Sequence, residues 1–490
     1  MVEIIYFIAL IFCVYNALPL LYLYQQQYYS IKRVFKFKFG NLINKITIKM
    51  PLFYLLSYLI YTYQDRTTGL IILLLSQCLL LTKIKLKNYH FTRRYCMLLF
   101  FLVLISLILY SILYFKISNY FGILCLFICD YLGLILSIFL LYPIEKFISE
   151  YYVRKARNKV KKNKYIVIGI TGSFGKTSMK NILYSLLKTR YKIAYQNHNY
   201  NTLMGLAKYI NNYVRDDDEI LIVELGVDEV NTMIKFKKLF MLDIALITSI
   251  GNMHLSTFKT LDNIKKEKMA ISNLLKENGI LFINKDDCSY ISGYNNVVYT
   301  TKDSLNFSHD LPYKINLYNR AIQTELCLEY QLSYLSMALS VSKLLSLDKE
   351  EIIFGLENII IPDSRFKITK SGRDIIIDNS YNSNEKGFKL SVDLIKKYDE
   401  FKVVVTGGLF ELGSQFENIN YEIGRYLKYV DLLILINEDL NHPLKEGFIS
   451  NSKKEFIQLD DFNKVNDVIS KIDKKKIILY TAIGSNVSLK

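Results

Sequence analysis

Residues 169–178 read GITGSFGKTS, and their types suit one kind of chemistry. Gly169, Gly172 and Gly175 recur every third residue ahead of Lys176, Thr177 and Ser178. A loop that wraps phosphate needs glycines, so that backbone N–H groups can approach the oxygens. It needs a lysine long enough to reach the β and γ oxygens and a hydroxyl that can hold Mg²⁺. The strict phosphate-loop pattern asks for glycine at position 170, which is Ile170, so the spacing is shifted while the donors remain. Gly172, Ser173, Gly175, Lys176, Thr177 and Ser178 are therefore the candidate ATP-binding residues, with Lys176 also a candidate catalytic cation.

The flanking elements fit that role. KYIVIGI before the loop is a short β-branched run, and MKNILYSLLKTRY after it has helical apolar spacing, so a strand–loop–helix is expected. Downstream, EILIVELGV, IALITSIG, GILFINKDD and NVVYTT read as strands separated by helical or polar stretches, the pattern of a parallel α/β sheet. Ligands of such sheets sit at the carboxyl ends of strands. Glu224 ends one strand and His254 follows another. Either residue alone is more often structural. Sharing a sheet edge with the phosphate loop makes both candidate metal ligands beside Thr177.

The first third of the chain is of another kind. Ile4 to Tyr24, Met97 to Phe115 and Phe121 to Tyr142 are apolar stretches of spanning length, and Leu52 to Tyr63 and Gly69 to Leu81 are shorter. A span needs about 20 apolar residues, so four or five spans are expected, the short pair being two tilted spans or one re-entrant hairpin. Residues 1–164 hold 21 Lys/Arg against 5 Asp/Glu, and the remainder 41 against 40. The basic segments follow the first span, precede the fourth and follow the fifth. That places them in the cytoplasm with the N-terminus outside. No cleavage site follows the first span, so it reads as an anchor. Asp130 lies within the last apolar run, where a carboxyl is costly unless paired or kept neutral. A nucleic-acid binder would carry its positive excess on a folded face, and the nearly neutral remainder argues against one. The seven cysteines form no CxxC pair, so neither a zinc site nor a disulfide framework is expected.

With these segments on the page, the chain from about residue 164 to 490 resembles the Mur ligases, the ATP-dependent amide-forming enzymes of peptidoglycan synthesis. Within them it is most similar to the branch that adds D-alanyl-D-alanine. GITGSFGKTS matches the family's phosphate loop, NHNYNTLMGL its Asn-rich segment with Asn199 and Asn201, and VELGV its glutamate as Glu224. ITSIGNMHLSTFKTLDNIKKEKMAI places His254 at a metal-binding histidine and Lys268 at a lysine that the family carbamylates. FINKDD supplies Asn284 near the adenine and DSRFKI supplies Arg365. IIDNSYNSNEKGF carries Asn379 at the nucleotide, with Asn382 and Asn384 beside the substrate, and GGLFELGSQFENINYEIG matches the C-terminal signature.

The resemblance implies ATP and two Mg²⁺, one on Thr177 and Glu224 and one on His254 and carbamylated Lys268. It implies a carboxylate phosphorylated to an acyl phosphate and then attacked by an amine. The chain departs from the family at Asn379, Ala270 and Gly408, where acidic residues are usual, and at Ile483 and Asn486, where basic ones are. These changes leave the amine open. They also leave open a membrane ligase for a poly-amino acid or surface glycan, or a degenerate scaffold of envelope synthesis.

The family's usual UDP-sugar domain is replaced by apolar segments, so the expected partners are the lipid bilayer, a lipid-linked or nucleotide-linked precursor, and an amino acid or dipeptide. The expected architecture is an α-helical transmembrane region (1–150) and a basic juxtamembrane linker (151–163), followed by a P-loop parallel-sheet ATPase core (164–361). A smaller C-terminal α/β domain (362–490) closes over the core to keep water from the acyl phosphate.

Overall fold

A computed structural model describes residues 91–117, 126–195, 200–251, 253, 255–288, 296–308, 310–361, 365–381, 384–410, 412, 415–436 and 442–483, with a few positions before residue 91. The chain divides into two compact units, Met1–Glu150 and Tyr151–Lys490.

In the first unit, helix α1 (Arg93–Ile112) is opened by Thr92, whose side-chain oxygen accepts the Tyr95 N–H. It packs on the early part of helix α2 (Leu126–Asn163). Contact is close at Gly133, where a Cβ would lie 2.3 Å from Ser106 Oγ; small residues permit this approach between apolar helices. Arg94 forks onto Glu145 through two contacts of 2.7 Å. Both helices are long and apolar enough to cross a membrane by length and composition. They contain most of the fourth and fifth expected spans. The first three expected spans lie almost wholly outside the described residues, as does the side chain of Asp130.

Residues 151–163, expected as a basic juxtamembrane linker, are helical. They are the last turns of α2, and Val153, Ala156 and Val160 are buried in the core of the second unit with Tyr165 and Val167. The i, i+3, i+7 stripe of small apolar residues makes this stretch an amphipathic helix. The basic residues that suggested a linker, Arg154, Lys155, Arg157, Lys161 and Lys162, occupy its exposed face.

The second unit holds two sheets. In the first, strands β1 (Ile166–Thr171), β2 (Ile193–Ala194), β3 (Ile220–Glu224), β4 (Leu242–Ile247), β5 (Leu275–Asn284) and β6 (Val297–Thr300) lie in the order β2-β3-β1-β4-β5-β6, all parallel. The central strands are continuous apolar runs because both of their faces are covered. One face packs on the end of α2 and on α4 (Leu203–Asn212). The other packs on α3 (Lys176–Leu187), α6 (Glu329–Leu344) and α7 (Lys349–Glu357). Helix α5 (Leu261–Met269) precedes β5. Strand order reverses about β1, which opens a crevice at its carboxyl end.

After a small hairpin (β7, Lys314–Leu317; β8, Arg320–Gln323) comes the second sheet, in the order β13-β12-β11-β14-β10-β9. Its strands are β9 (Lys367–Ser371), β10 (Asp374–Asn379), β11 (Phe401–Thr406), β12 (Leu432–Ile436), β13 (Glu455–Leu459) and β14 (Lys476–Thr481). Only β9 runs antiparallel, against β10. The fold is thus a parallel-sheet α/β core followed by a second α/β sheet domain. That second sheet matches the first in strand number, with six strands each.

Candidate active site

β1 delivers the chain to the crest of the first sheet, where it turns sharply into α3. Two glycines allow the turn. Gly172 has φ of +153° and a Cβ there would lie 2.0 Å from Thr248 Oγ1. Gly175 has φ of +77° and a Cβ would lie 2.0 Å from the Tyr334 hydroxyl; an L side chain at such a φ is strained as well as crowded. The loop leaving β4 staples the turn. Ser173 donates its N–H to the Ser249 carbonyl at 2.9 Å and its hydroxyl to the Gly251 carbonyl at 2.9 Å. The Phe174 N–H donates to Ser249 Oγ at 2.8 Å. Lys176 folds back so that Nζ donates to the Gly172 carbonyl at 2.7 Å. Burial lowers its ammonium to about 8, opposed by the attraction of Glu224 and assisted by Arg365. A half-buried cation on a glycine loop at a helix start forms a seat for phosphate.

Glu224 enters from β3, paired in register with Ile170. Its Oε2 accepts from Thr177 Oγ1 at 3.2 Å and its Oε1 lies 2.8 Å from Lys180 Nζ. Both charged side chains are buried, at 3% and 4% exposure. Lys180 also stands 5.4 Å from the centre of the Tyr195 ring, which stacks on Tyr184 and donates its hydroxyl to Asn181 Oδ1 at 2.5 Å. The Thr177 hydroxyl and Glu224 carboxylate are hard oxygen donors at the edge of the phosphate seat, a set that fits Mg²⁺.

The loop after β3 is held from α5. Lys268 Nζ donates to the Val227 carbonyl at 3.4 Å. Glu267 accepts the N–H groups of Asn231, Thr232 and Met233 at 2.7, 2.8 and 2.6 Å. Burial pushes the Lys268 ammonium well below the ordinary lysine range; Lys176 adds to this, while Glu267 and Asp228 oppose it.

Other expected residues are held within the protein. Asn284 is fully buried, donating to the Thr248 carbonyl at 2.9 Å and accepting the Asp286 N–H at 3.1 Å. Asn379 Nδ2 donates to Ser391 Oγ at 3.1 Å. Asn384 caps helix α8 (Glu385–Ile395) by accepting the Gly387 N–H. The Asn201 carbonyl accepts the Gly226 N–H at 2.8 Å, two residues past Glu224. Arg365 lies over the Tyr381 ring at 3.8 Å, near enough to Lys176 and Glu224 for their charges to act on one another. Ser178 is buried in the first turn of α3. His254, Asn199 and Asn382 lie outside the described residues.

Comparison with known proteins follows the same outline. The sequence profile of the Mur ligase middle domain matches residues 170–337. Over 336 residues the chain is 23% identical to UDP-N-acetylmuramoyl-tripeptide–D-alanyl-D-alanine ligase of Bacillus subtilis, covering 64% of this chain and 72% of that protein. The namesake from Borreliella burgdorferi is 27% identical, covering 64% and 67%. The crystal structure of MurF ligase from Thermotoga maritima in complex with ADP superposes with a TM-score of 0.60 at 26% identity, over 68% of this chain and 80% of that one. This chain carries a Mur ligase middle domain and is similar to MurF ligases over about two thirds of its length. It is accordingly an ATP-dependent, ADP-forming acid–amino-acid ligase.

In this chain the geometry brings Lys176, Thr177, Glu224, Lys268 and Arg365 into one neighbourhood, although they come from four separate segments. Sequence reasoning missed Lys180, which shares a helix with the phosphate loop and would have shown as a second lysine one turn after Lys176. It also missed Tyr334, whose ring lies against Gly175, and Glu267, whose carboxylate binds three backbone donors. Neither of these carries a spacing signal, since each acts on a backbone distant in sequence.

Proposed function

We propose that this chain activates a carboxylate of a cell-envelope precursor and joins it to an amino acid or dipeptide at the inner face of a membrane. One observation carries the ATP chemistry: Lys176 and Thr177 of the glycine loop converge with Glu224 of the neighbouring strand. Lys176 would bind the terminal phosphates and balance charge as phosphate passes to the carboxylate. Arg365 would add a second cation beside it. Mg²⁺, held by Thr177 and Glu224, would supply further neutralisation of the phosphate oxygens. The product of the first step is an acyl phosphate. The amine's lone pair then forms the amide bond as the carbon–oxygen bond to phosphate breaks.

Lys268 suits carbamylation. Its amine is buried and held below the usual lysine range, so the neutral form that takes up carbon dioxide is accessible. The carbamate would be an anionic oxygen ligand for a second Mg²⁺ with His254. Lys268→Ala is expected to lower the rate by about 100-fold or more, on the scale of a lost metal-site interaction, with partial recovery on adding short carboxylic acids. A rate that is low but indifferent to added acids would remove the carbamate.

The apolar unit, with two helices of spanning length and the basic segments around it, supports a membrane-held acceptor on a lipid carrier. Proximity on one surface would then stand in for a domain that grips a soluble precursor. The amine named in the relatives, D-alanyl-D-alanine, is the first to test. With the full chain in lipid nanodiscs, ADP release should require both acceptor and amine and should be faster with lipid-linked than with UDP-linked muropeptide. Equal rates on both would overturn the lipid-linked acceptor. ADP release indifferent to any amine would overturn the ligase reading of the substrates.

A further inference from the structure

The buried pair of Lys180 and Glu224 is not explained by the transfer chemistry above. Buried ion pairs contribute little to stability over apolar neighbours of the same size, so a lysine sealed at this position calls for another account. Its partner is the carboxylate that fits Mg²⁺. Helix α3 carries Lys176, Thr177 and Lys180 at i, i+1 and i+4. The first turns back over the phosphate loop, while the other two meet Glu224 on different oxygens: Thr177 on Oε2 at 3.2 Å and Lys180 on Oε1 at 2.8 Å. Lys180 is fixed in turn by the Tyr195 ring, itself stacked on Tyr184 at 4.0 Å and tied to Asn181.

We infer that Lys180 is a positioning residue for the metal end of the site: it pins Glu224 Oε1 so that Oε2 alone is presented beside the Thr177 hydroxyl. A carboxylate free to rotate can chelate with both oxygens. One that is pinned can offer a single oxygen. Single-oxygen ligation suits Mg²⁺, which demands near-ideal octahedral geometry and takes few protein ligands. Partners that orient metal-ligating carboxylates typically change metal affinity by about 10–100-fold when removed. The inference rests on reading Thr177 and Glu224 as metal donors and not on the identity of the acceptor or amine.

The test measures Mn²⁺ binding by electron paramagnetic resonance, using the full chain with ADP and no acceptor or amine. Lys180→Met removes the cation beside Oε1, and Lys180→Gln keeps a polar head group without the charge. Metal-free ADP binding, which depends on the phosphate loop, shows that each variant is folded. In Lys180→Met, Mn²⁺ affinity should fall by about 10–100-fold with metal-free ADP affinity retained, and in Lys180→Gln it should fall by less. Unchanged or tighter Mn²⁺ binding, in whichever variant retains ADP binding, overturns the inference. No acceptor or amine enters this assay, so its failure and a failure of the lipid-linked amide reading are read separately.

Discussion

Lys176→Met should reduce ATP-dependent amide formation by about 100- to 1,000-fold, the usual loss when one preorganised donor to a developing oxyanion is removed. The fold should survive, because Lys176 makes its contacts to its own loop carbonyls and leaves the sheet untouched. The same residue sets a pH dependence. Burial brings its ammonium down from 10.5 to about 8. Between about pH 8 and 10.5 the folded site has therefore lost its proton while the unfolded chain retains one, so the cost of burying the charge is carried below about pH 8 and relieved as pH rises. Nucleotide binding has the opposite dependence, because phosphate requires the ammonium. Affinity for ADP should fall roughly tenfold per pH unit above about 8 in the native protein and stay flat in Lys176→Met. Titration calorimetry across that range measures both. An identical slope in the two proteins would place the titrating group elsewhere.

Glu224→Ala should be the most damaging single change in the site, since it removes a metal donor and the carboxylate that faces the buried Lys180 ammonium. A buried charge whose partner is deleted costs about 3–5 kcal/mol, and Lys180 and Glu224 are both buried and 2.8 Å apart. The variant should melt at a markedly lower temperature and release no ADP. Coupling the change to Lys180→Met separates the two effects. The double variant should recover most of the lost stability, because the buried cation is removed together with its carboxylate, while activity stays absent. Melting temperatures of the four proteins of this cycle give the interaction directly. If the double variant is as unstable as Glu224→Ala, the pair does not account for the loss.

Much of this arrangement is legible before any coordinates. The glycines and Lys176 mark the loop, because backbone approach to phosphate restricts residue type over a short window. The central strands β1, β3, β4 and β5 stand out because burial on both faces makes them continuous apolar runs. What is lost is whatever depends on partners distant in sequence. The edge strand Lys367–Ser371 is polar and mostly exposed, and Glu455–Leu459 is short and half-exposed with three apolar residues among its five, so their alternation is faint. The stretch 151–163 hides an apolar stripe of three small residues among seven lysines and arginines when residue 164 is counted with it. Charge counting there outweighs periodicity, and only packing against Tyr165 and Val167 reveals the helix. Lys180 is visible as a residue yet silent as a role, since Glu224 lies 44 positions away and meets it only because β1 and β3 are adjacent in the sheet.

The central claim is that the phosphate seat activates a carboxylate and does not merely hydrolyse ATP. Transfer of oxygen isotope tests it most directly. With the acceptor's carboxyl group labelled with ¹⁸O and the full chain held in lipid, an acyl phosphate must leave one acceptor oxygen on the phosphate when the amine attacks. Mass spectrometry should then find one ¹⁸O in each inorganic phosphate released, in step with ADP and the new amide. ADP and unlabelled phosphate, formed while the acceptor keeps both of its labelled oxygens, would contradict the account.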